Sequence, residues 1–344
     1  MSLLEQEIHE QPLVVQRLIE RETENAARLA ALVRGRFDYA VIAARGTSDN
    51  AARYAQYLWG AHNRLPVALA TPSLFTLYQR PPRLAGALVV GISQSGQSPD
   101  IVAVVAEGRR QSRPTLVITN DPDSPLAAAA ECVIPLHAGS ERAVAATKTY
   151  TASLAALALF SCQLADDAER LAQLRQMPDR IEQTLVGLAS VMPRVERYRY
   201  MDRCAVLGRG YNYATAFEIA LKIKELTRTV AEPYSSADFR HGPIAMVRDG
   251  FPVLAIAPGG AAAGDLQALV ADLQKLDSEL LLISDDPGLL AQAHLAMPLP
   301  SGLPEWLTPL VAVLPGQLYS LALAQAKGLD PDRPQGLKKV TETL

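Results

Sequence analysis

The sequence predicts an α/β protein in which two doubly wound parallel sheets follow one another along the chain. The 344 residues are about twice the length of a typical domain, and 49% of them are hydrophobic. Short apolar runs alternate with helical stretches, a pattern typical of parallel strands that are buried on both faces. The pattern also repeats, because a similar series of segments begins again about 164 residues further along the chain.

The repeat is clearest in three strands that each copy is expected to contain. The first strand of each copy ends in Arg-Gly and leads into a helix, and the third leads into a turn with Asp-Pro. The predicted pairs are 40–46 with 205–210, 87–92 with 252–256, and 115–118 with 280–283. Each half is therefore predicted to be one doubly wound unit.

The segments around the two copies carry helical periodicity and many charges. Pro178 and Pro193 are expected to break the segment between the copies into shorter helices. The predicted parts are a helical N-terminal segment (1–36), a first domain with phosphate-binding loops (37–165), a helical connector (166–199), a second domain (200–326) and a C-terminal tail (327–344).

Charge and composition exclude several classes of partner. The net charge is −3 and no window concentrates Lys and Arg, so we expect no binding to nucleic acid. The N-terminus is polar and acidic, unlike a signal peptide, and the uncharged stretch 149–165 contains enough polar residues to be a buried helix. We therefore expect a soluble, cytoplasmic protein with no membrane partner.

The three cysteines are far apart, without the spacing of a metal site or of a disulfide framework. Each lies in an apolar run, and we interpret Cys132, Cys162 and Cys204 as core residues in a reducing compartment. No metal ligand cluster is present in the sequence, and no metal or organic cofactor is expected.

Hydroxyl and amide side chains follow the first two strands of the first copy. In open α/β sheets, ligands bind at the carboxyl ends of the strands, where glycines and helix N-termini favour anions. The predicted phosphate-binding side chains are Thr47, Ser48, Ser93, Gln94, Ser95 and Ser98. They could instead be helix caps, but two such loops at adjacent strands favour a phosphate site. The second copy has 258–262 (PGGAA) there, which predicts loss of the phosphate site.

The second copy carries the ionisable residues. Glu218, Lys222 and Glu225 are spaced i, i+4 and i+7, which places them on one face of a predicted helix. They could be a surface ion pair, but the apolar residues between them indicate a packed helix and favour a functional role for Glu225. His241 lies between Arg240 and a Gly-Pro turn, a rigid and polar setting that is unlike a core histidine.

Several motifs together resemble the sugar isomerase (SIS) family. They are similar, more closely, to the isomerase half of glucosamine-fructose-6-phosphate aminotransferase and to stand-alone glucosamine-6-phosphate deaminases. The motifs are 46–48 (GTS), 93–96 (SQSG), 145–148 (AATK), 218–225, 240–243 (RHGP) and 337–339 (LKK). The resemblance extends from about Phe37 to the C-terminus.

The resemblance implies a phosphorylated sugar as the substrate. The matching positions that hold its phosphate are Thr47, Ser93, Gln94, Ser95 and Ser98, and a segment with Val144 and Ala145 lines the sugar. By the same resemblance, Glu225 moves a proton between C1 and C2, and Lys222 lies close to the sugar hydroxyls.

The resemblance also implies a homodimer, in which His241 assists ring opening in the site of the neighbouring subunit. The tail closes the sugar site, and its Lys339 can form an imine with a ketose phosphate. Gln335 departs from the family pattern, where an arginine often stands before the tail motif.

The expected function is the conversion of glucosamine 6-phosphate to fructose 6-phosphate and ammonia, or the reverse reaction with free ammonia. The aminotransferase begins with a glutamine-hydrolysing domain that has a cysteine nucleophile, and the sequence has no such part, so no glutaminase activity is expected. Two alternatives remain open: an isomerase of another phosphosugar or sugar–amino acid adduct, and a non-catalytic sugar-phosphate sensor. Retention of Glu225, His241 and Lys339 favours an enzyme.

Overall fold

The computed structural model describes residues 1–339. Within them, the chain forms two five-stranded sheets in which every strand is parallel to its neighbours. The strands are β1 (Tyr39–Ala43), β2 (Val67–Leu69), β3 (Ala87–Ser93), β4 (Thr115–Thr119), β5 (Cys132–Pro135), β6 (Arg203–Gly208), β7 (Val230–Ser235), β8 (Pro252–Ile256), β9 (Glu279–Ser284) and β10 (Leu295–Pro298). Their orders are β2-β1-β3-β4-β5 and β7-β6-β8-β9-β10. The two sheets thus repeat one doubly wound topology, and the predicted fold class is confirmed.

Each copy contains five strands rather than the three that the sequence predicts. The four missed strands, β2, β5, β7 and β10, are the edges of the two sheets. Three of these strands, β2, β5 and β10, are apolar but only three or four residues long, and they are only partly buried. The fourth, β7, contains polar residues, so none of the four gives the long apolar run that identifies a central strand. Three of them also contain proline (Pro135, Pro233 and Pro298), which sheets tolerate at their edges.

Helices cover the sheets and connect their strands. They are α1 (Leu3–His9), α2 (Gln11–Val33), α3 (Gly46–Asn63), α4 (Ser73–Thr76), α5 (Pro99–Arg110), α6 (Pro125–Ala129), α7 (Lys148–Ala165), α8 (Ala168–Leu174), α9 (Met177–Leu188), α10 (Asn212–Thr227), α11 (Ser236–Arg240), α12 (Ala263–Lys275), α13 (Pro287–Leu290) and α14 (Thr308–Ala326). Short 3₁₀ turns are formed by Met192–Tyr198, Pro243–Met246 and Glu305–Leu307.

The chain folds into two compact units and passes between them several times. The N-terminal unit, with the first sheet, comprises residues 13–141, 148–176 and, within the described part of the chain, 338–339. The C-terminal unit, with the second sheet, comprises residues 1–12, 142–147 and 177–337. Helix α1 and the short segment 142–147 therefore belong with the second sheet, although both precede it in the sequence.

In the N-terminal unit, the central strands are buried along their whole length, as continuous apolar sequence predicts. All residues of β3 and β4 are buried. On one face of the sheet, Val89 and Val117 pack against helix α5 and against Leu126. Helix α7 is buried along most of its length, which confirms the prediction made for the uncharged stretch 149–165.

The three cysteines are free and buried, as the sequence predicts. Burial raises the pKa of the Cys162 and Cys204 thiols to about 12 and also raises the pKa of Cys132. Since the thiolate is the reactive form of cysteine, these side chains are chemically inert at neutral pH.

In the C-terminal unit, α14 packs against α10 in the core. Residues Glu305–Ala326 form an apolar helical stretch longer than 149–165, and by length and composition alone it could cross a membrane. However, 94% of its apolar window is buried inside the protein, which accounts for its composition. Gly316 allows the two helices to approach closely, because a Cβ at this position would overlap Ile219.

Candidate functional site

The carboxyl ends of β1 and β3 lie side by side, because these two strands pair directly. From this point the sheet grows toward β2 on one side and toward β4 on the other. Such a switch point is where open α/β sheets bind their ligands. The six predicted phosphate-binding side chains lie at or just after the ends of these two strands: Thr47, Ser48, Ser93, Gln94, Ser95 and Ser98.

Helix capping does not account for these hydroxyl groups. Helix α3 begins after Arg45, which makes no side-chain cap hydrogen bond, and Thr47 and Ser48 lie inside its first turn. Ser98 precedes α5 and also makes no cap hydrogen bond with its side chain. Ser93 Oγ and Ser95 Oγ instead accept hydrogen bonds from loop N–H groups, at 3.1 and 3.3 Å.

An ion pair that the sequence does not predict connects the two loops. Nε and Nη2 of Arg45 each lie 2.8 Å from Oδ2 of Asp100. Arg45 ends the first loop, and Asp100 lies in the first turn of α5 beyond the second loop. The Asp100 carboxylate is fully buried, so the half-exposed guanidinium compensates a charge that would otherwise be costly.

In the second copy, the protein's own carboxylates occupy the equivalent loop after β8. Gly259 N–H donates to Asp285 Oδ1 at 2.7 Å, and Ala261 N–H donates to Glu305 Oε2 at 2.9 Å. The N–H groups that could bind an anion therefore bind internal carboxylates. The first copy has the neutral Asn120 at the position that corresponds to Asp285.

Helix α10 carries a buried cluster of three charges. Lys222 Nζ lies 2.6 Å from Glu225 Oε2 and 3.4 Å from Glu218 Oε1. The exposed fractions of the side chains are 1% for Lys222, 0% for Glu218 and 22% for Glu225. The shared face predicted from the spacing is confirmed, and a surface ion pair is excluded. Of these three groups, the Glu225 carboxylate is the one that solvent or a substrate can reach.

The start of α10 is held by hydrogen bonds to the start of α14. Asn212 Nδ2 donates to Thr308 Oγ1 at 2.7 Å, and Thr215 Oγ1 donates to Asn212 Oδ1 at 3.0 Å. Together with the close packing at Gly316, these contacts fix the rotation of the helix that presents Glu225.

The segment with Val144 and Ala145 is held by helix α1. The buried Glu7 carboxylate accepts hydrogen bonds from the backbone N–H groups of Arg142 and Ala143, at 2.5 and 3.2 Å. Ala145 is buried and Val144 is half-buried. The sequence alone gives Glu7 no role, because nothing in the local sequence relates it to a segment 135 residues away.

Helix α1 also holds the first part of the tail. The N–H groups of Leu3 and Leu4, in its first turn, donate to the Asp332 carboxylate at 2.8 and 2.9 Å. Unpaired N–H groups at a helix N-terminus favour a carboxylate in this position. One short helix therefore holds both the segment 142–147 and the first part of the tail.

The turn with His241 is rigid and faces solvent. Ser236 and Arg240 bind the Asp265 carboxylate, with Arg240 Nη1 2.7 Å from Oδ1. Partial burial disfavours the charge of Asp265, but these hydrogen bonds and the guanidinium outweigh it and lower its pKa. His241 itself is exposed, and Gly242 has a φ of +148°, a conformation that favours glycine.

The tail places Lys339 against a buried carboxylate. Lys339 Nζ lies 2.9 Å from Glu141 Oε2, and the Lys339 side chain is 24% exposed. Gln335 Oε1 accepts a hydrogen bond from Arg228 Nη2. Residues 340–344, the remainder of the predicted tail, lie outside the described residues.

Within residues 1–339, the structure shows no group of three or more His, Cys, Asp or Glu side chains placed to hold a metal ion. In the N-terminal unit, hydroxyl and N–H groups lie at one switch point, and the tail lysine lies beside a buried carboxylate. In the C-terminal unit, a carboxylate lies beside Lys222 on α10, and a histidine faces solvent. Groups of these kinds can bind anions and transfer protons.

Comparisons with known proteins agree with this description. The sequence pattern of the SIS domain matches residues 38–161 and 199–323. Glutamine–fructose-6-phosphate aminotransferase (isomerizing) of Gloeobacter violaceus is 34% identical over 97% of the chain and 57% of its own length. The chain thus spans little more than half of this curated relative.

Solved structures align over almost the whole chain. A proposed phosphosugar isomerase from Silicibacter pomeroyi is 33% identical, with a TM-score of 0.87 and coverage of 96% of this chain and 100% of the other. The C-terminal domain of glucosamine-fructose-6-phosphate aminotransferase from Francisella tularensis is 26% identical, with a TM-score of 0.84 and coverage of 97% and 98%.

Proposed function

Because the chain belongs to the SIS domain family, we propose that it is a phosphosugar isomerase that deaminates glucosamine 6-phosphate to fructose 6-phosphate, or aminates fructose 6-phosphate with free ammonia. The observation that carries the proposal is the charge cluster on α10. It buries Lys222 between two carboxylates and leaves Glu225 accessible. A carboxylate held in this way suits the transfer of a proton between neighbouring carbons.

The phosphate would bind at the switch point of the first sheet. The second copy supports this assignment, because its equivalent loop already binds the anionic groups of Asp285 and Glu305 through backbone N–H groups. In the first copy, Asn120 replaces the carboxylate, and six hydroxyl and amide side chains lie at the neighbouring ends of β1 and β3. We propose that the substrate phosphate occupies this place.

The proposed reaction begins with ring opening, in which His241 transfers the ring proton; imidazole suits this step near neutral pH. Glu225 then removes the proton from C2 of the open-chain amino sugar and returns a proton to C1, with Lys222 close to the sugar hydroxyls. The product is an imine at C2. Water adds to this carbon and ammonia leaves, which yields fructose 6-phosphate.

We assign two further roles on the basis of the family resemblance. Val144 and Ala145 line the sugar, and Lys339 forms an imine with the keto group of the ketose phosphate. The proposal includes no glutamine hydrolysis by this chain, because both matched regions are SIS domains and the three cysteines are buried. We also propose a cytoplasmic location and a homodimer in which His241 of each chain acts in the site of the other chain.

The proposal is tested by incubating the purified protein with glucosamine 6-phosphate and measuring ammonia and fructose 6-phosphate. In deuterated water, the wild type should exchange the C2 proton, whereas Glu225→Gln should lose this exchange and still bind the sugar phosphate in calorimetry. Glu232→Gln, which changes an exposed carboxylate in the same unit, is the matched control. Continued exchange in Glu225→Gln would assign the base to another residue.

The same assay decides between the alternatives. Exchange with another phosphosugar or a sugar–amino acid adduct, but without ammonia release from glucosamine 6-phosphate, would identify an isomerase of different specificity. Binding without exchange for every sugar phosphate would identify a sensor.

A further inference from the structure

We propose that Glu141 positions the tail lysine, Lys339, and accepts the proton that this lysine must lose before it can form an imine. The inference rests on the proposed function, which makes Lys339 the imine-forming residue. Its direct support is the ion pair, with Lys339 Nζ 2.9 Å from Glu141 Oε2. Neither the motifs of the sequence nor the comparisons assign a role to Glu141.

The Glu141 carboxylate is held in place independently of the lysine. Its side chain is fully buried, and it accepts hydrogen bonds from Thr149 N–H at 3.1 Å and from Thr149 Oγ1 at 2.8 Å. Thr149 lies in the first turn of α7, an 18-residue helix whose N-terminus favours a negative charge. The carboxylate is therefore a fixed point to which the tail can attach.

The backbone around Glu141 is fixed as well. The buried Lys148 donates from Nζ to the carbonyl oxygen of Ser140 at 2.8 Å, and thus links the start of α7 to the residue before Glu141. Glu141 could serve only to cap α7, but capping requires no partner from the tail. The ion pair joins two residues that are 198 positions apart and leaves part of Lys339 exposed to an incoming ketone.

The pairing has a chemical consequence. An ammonium group is not a nucleophile, so Lys339 must transfer one proton before its nitrogen attacks the keto carbon. Glu141 Oε2 is within hydrogen-bond distance and can take this proton. The nitrogen–carbon bond forms, and the nitrogen passes a second proton to the carbonyl oxygen, which becomes a hydroxyl. The proton held by Glu141 then returns to that hydroxyl, which leaves as water. Overall, amine and ketone give an imine and one water molecule.

The test is chemical trapping of the imine. Purified protein is incubated with fructose 6-phosphate and sodium borohydride, which reduces an imine to a stable secondary amine, and the adduct at Lys339 is measured by mass spectrometry. We expect an adduct in the wild type and none in Lys339→Arg. In Glu141→Gln the trapping rate should fall about tenfold or more, the effect of losing a hydrogen bond to a charged group, while the Kd for fructose 6-phosphate stays within about twofold.

Two further variants separate positioning from helix capping. Thr149→Val removes one cap hydrogen bond but leaves the Glu141 carboxylate, and its trapping rate should stay near that of the wild type. Glu141→Asp keeps the charge on a shorter side chain and should recover part of the rate lost in Glu141→Gln. If Glu141→Gln does not fold, the trapping rates of Glu141→Asp and Thr149→Val are compared instead. Equal trapping rates in these two variants would overturn the proposal.

The remaining outcomes are also decisive. Trapping at the wild-type rate in folded Glu141→Gln would overturn the role of Glu141 and leave the proposed function intact. The same holds if the wild type exchanges the C2 proton but traps no adduct at Lys339. A wild type that neither exchanges the proton nor traps an adduct would overturn the proposed function itself.

Discussion

Lys222 shows how single residues determine what the candidate site can do. A buried ammonium is costly unless opposite charges compensate it, and Glu218 and Glu225 do so from one turn above and one turn below. Glu218, which is fully buried with Oε1 3.4 Å from Lys222 Nζ, is unchanged in the Glu225→Gln variant, so the lysine keeps one carboxyl partner. That variant should therefore fold, which makes it a usable probe of the chemistry.

The loop hydroxyls make a prediction about substrate affinity. The double variant Ser95→Ala and Ser98→Ala should raise the KM for a phosphosugar about tenfold to a hundredfold with little change in kcat, if one or two hydrogen bonds to a charged phosphate are lost. Steady-state kinetics measure both constants, and Ser190→Ala, at an exposed position in the other unit, is the control. An unchanged KM would remove the phosphate assignment from these serines.

At the level of elements, the packing of α14 on α10 positions the face of α10 that we propose to be catalytic. Ile219, next to Glu218, occupies the space left by the missing side chain of Gly316. Helix α1 has a similar function for the segment 142–147, through Glu7. Helices α14 and α1 thus have no proposed role in the chemistry themselves, but they fix the position of two segments that do, α10 and 142–147.

We therefore predict that Gly316→Ala destabilises the protein, although alanine is the better helix former. Because the added methyl would overlap Ile219, the free energy of unfolding should fall by about 1–3 kcal/mol. Gly187→Ala is the matched control, since a Cβ there meets no atom within 4 Å in helix α9, and it should stabilise by about 0.5–1 kcal/mol. Chemical denaturation measures both, and a neutral Gly316→Ala would show that the helices can move apart.

At the level of the whole molecule, His241 is exposed, so it could act either in the site of its own chain or in that of a neighbouring subunit. If it acts in the neighbouring subunit of an isologous dimer, a monomer lacks a complete site. Glu225→Gln and His241→Ala should then each be inactive alone and complement one another. A hybrid dimer would contain one site with both wild-type residues and one site with neither.

The experiment is to refold the two inactive variants together and to measure deamination. Random assortment makes half of the dimers hybrid, each with one working site, so about a quarter of the wild-type activity should return. Each variant refolded alone is the control. No recovery from hybrids that are demonstrated by differential tagging would place His241 in its own chain's site or outside catalysis.

The sequence by itself determined the central architecture and the chemical groups. The strands that became β1, β3, β4, β6, β8 and β9 are readable because burial on both faces demands continuous apolar runs. The charge cluster on α10 is readable because its three members share one helix, where spacing alone sets their geometry. The polar residues at the ends of β1 and β3 could be assigned to one place because open α/β sheets bind ligands at the carboxyl ends of their strands.

Only the tertiary structure decided which distant residues meet. The edge strands, the pairing of Arg45 with Asp100, the support of segment 142–147 by Glu7 and the contact between Glu141 and Lys339 all join parts of the chain whose local sequence contains no trace of the partner. Burial also had to be observed, because the i, i+4 spacing of Glu218 and Lys222 is the same in a surface pair and in a buried one. Helical spacing defines a face, but the packing of the whole unit decides whether that face meets water or the core.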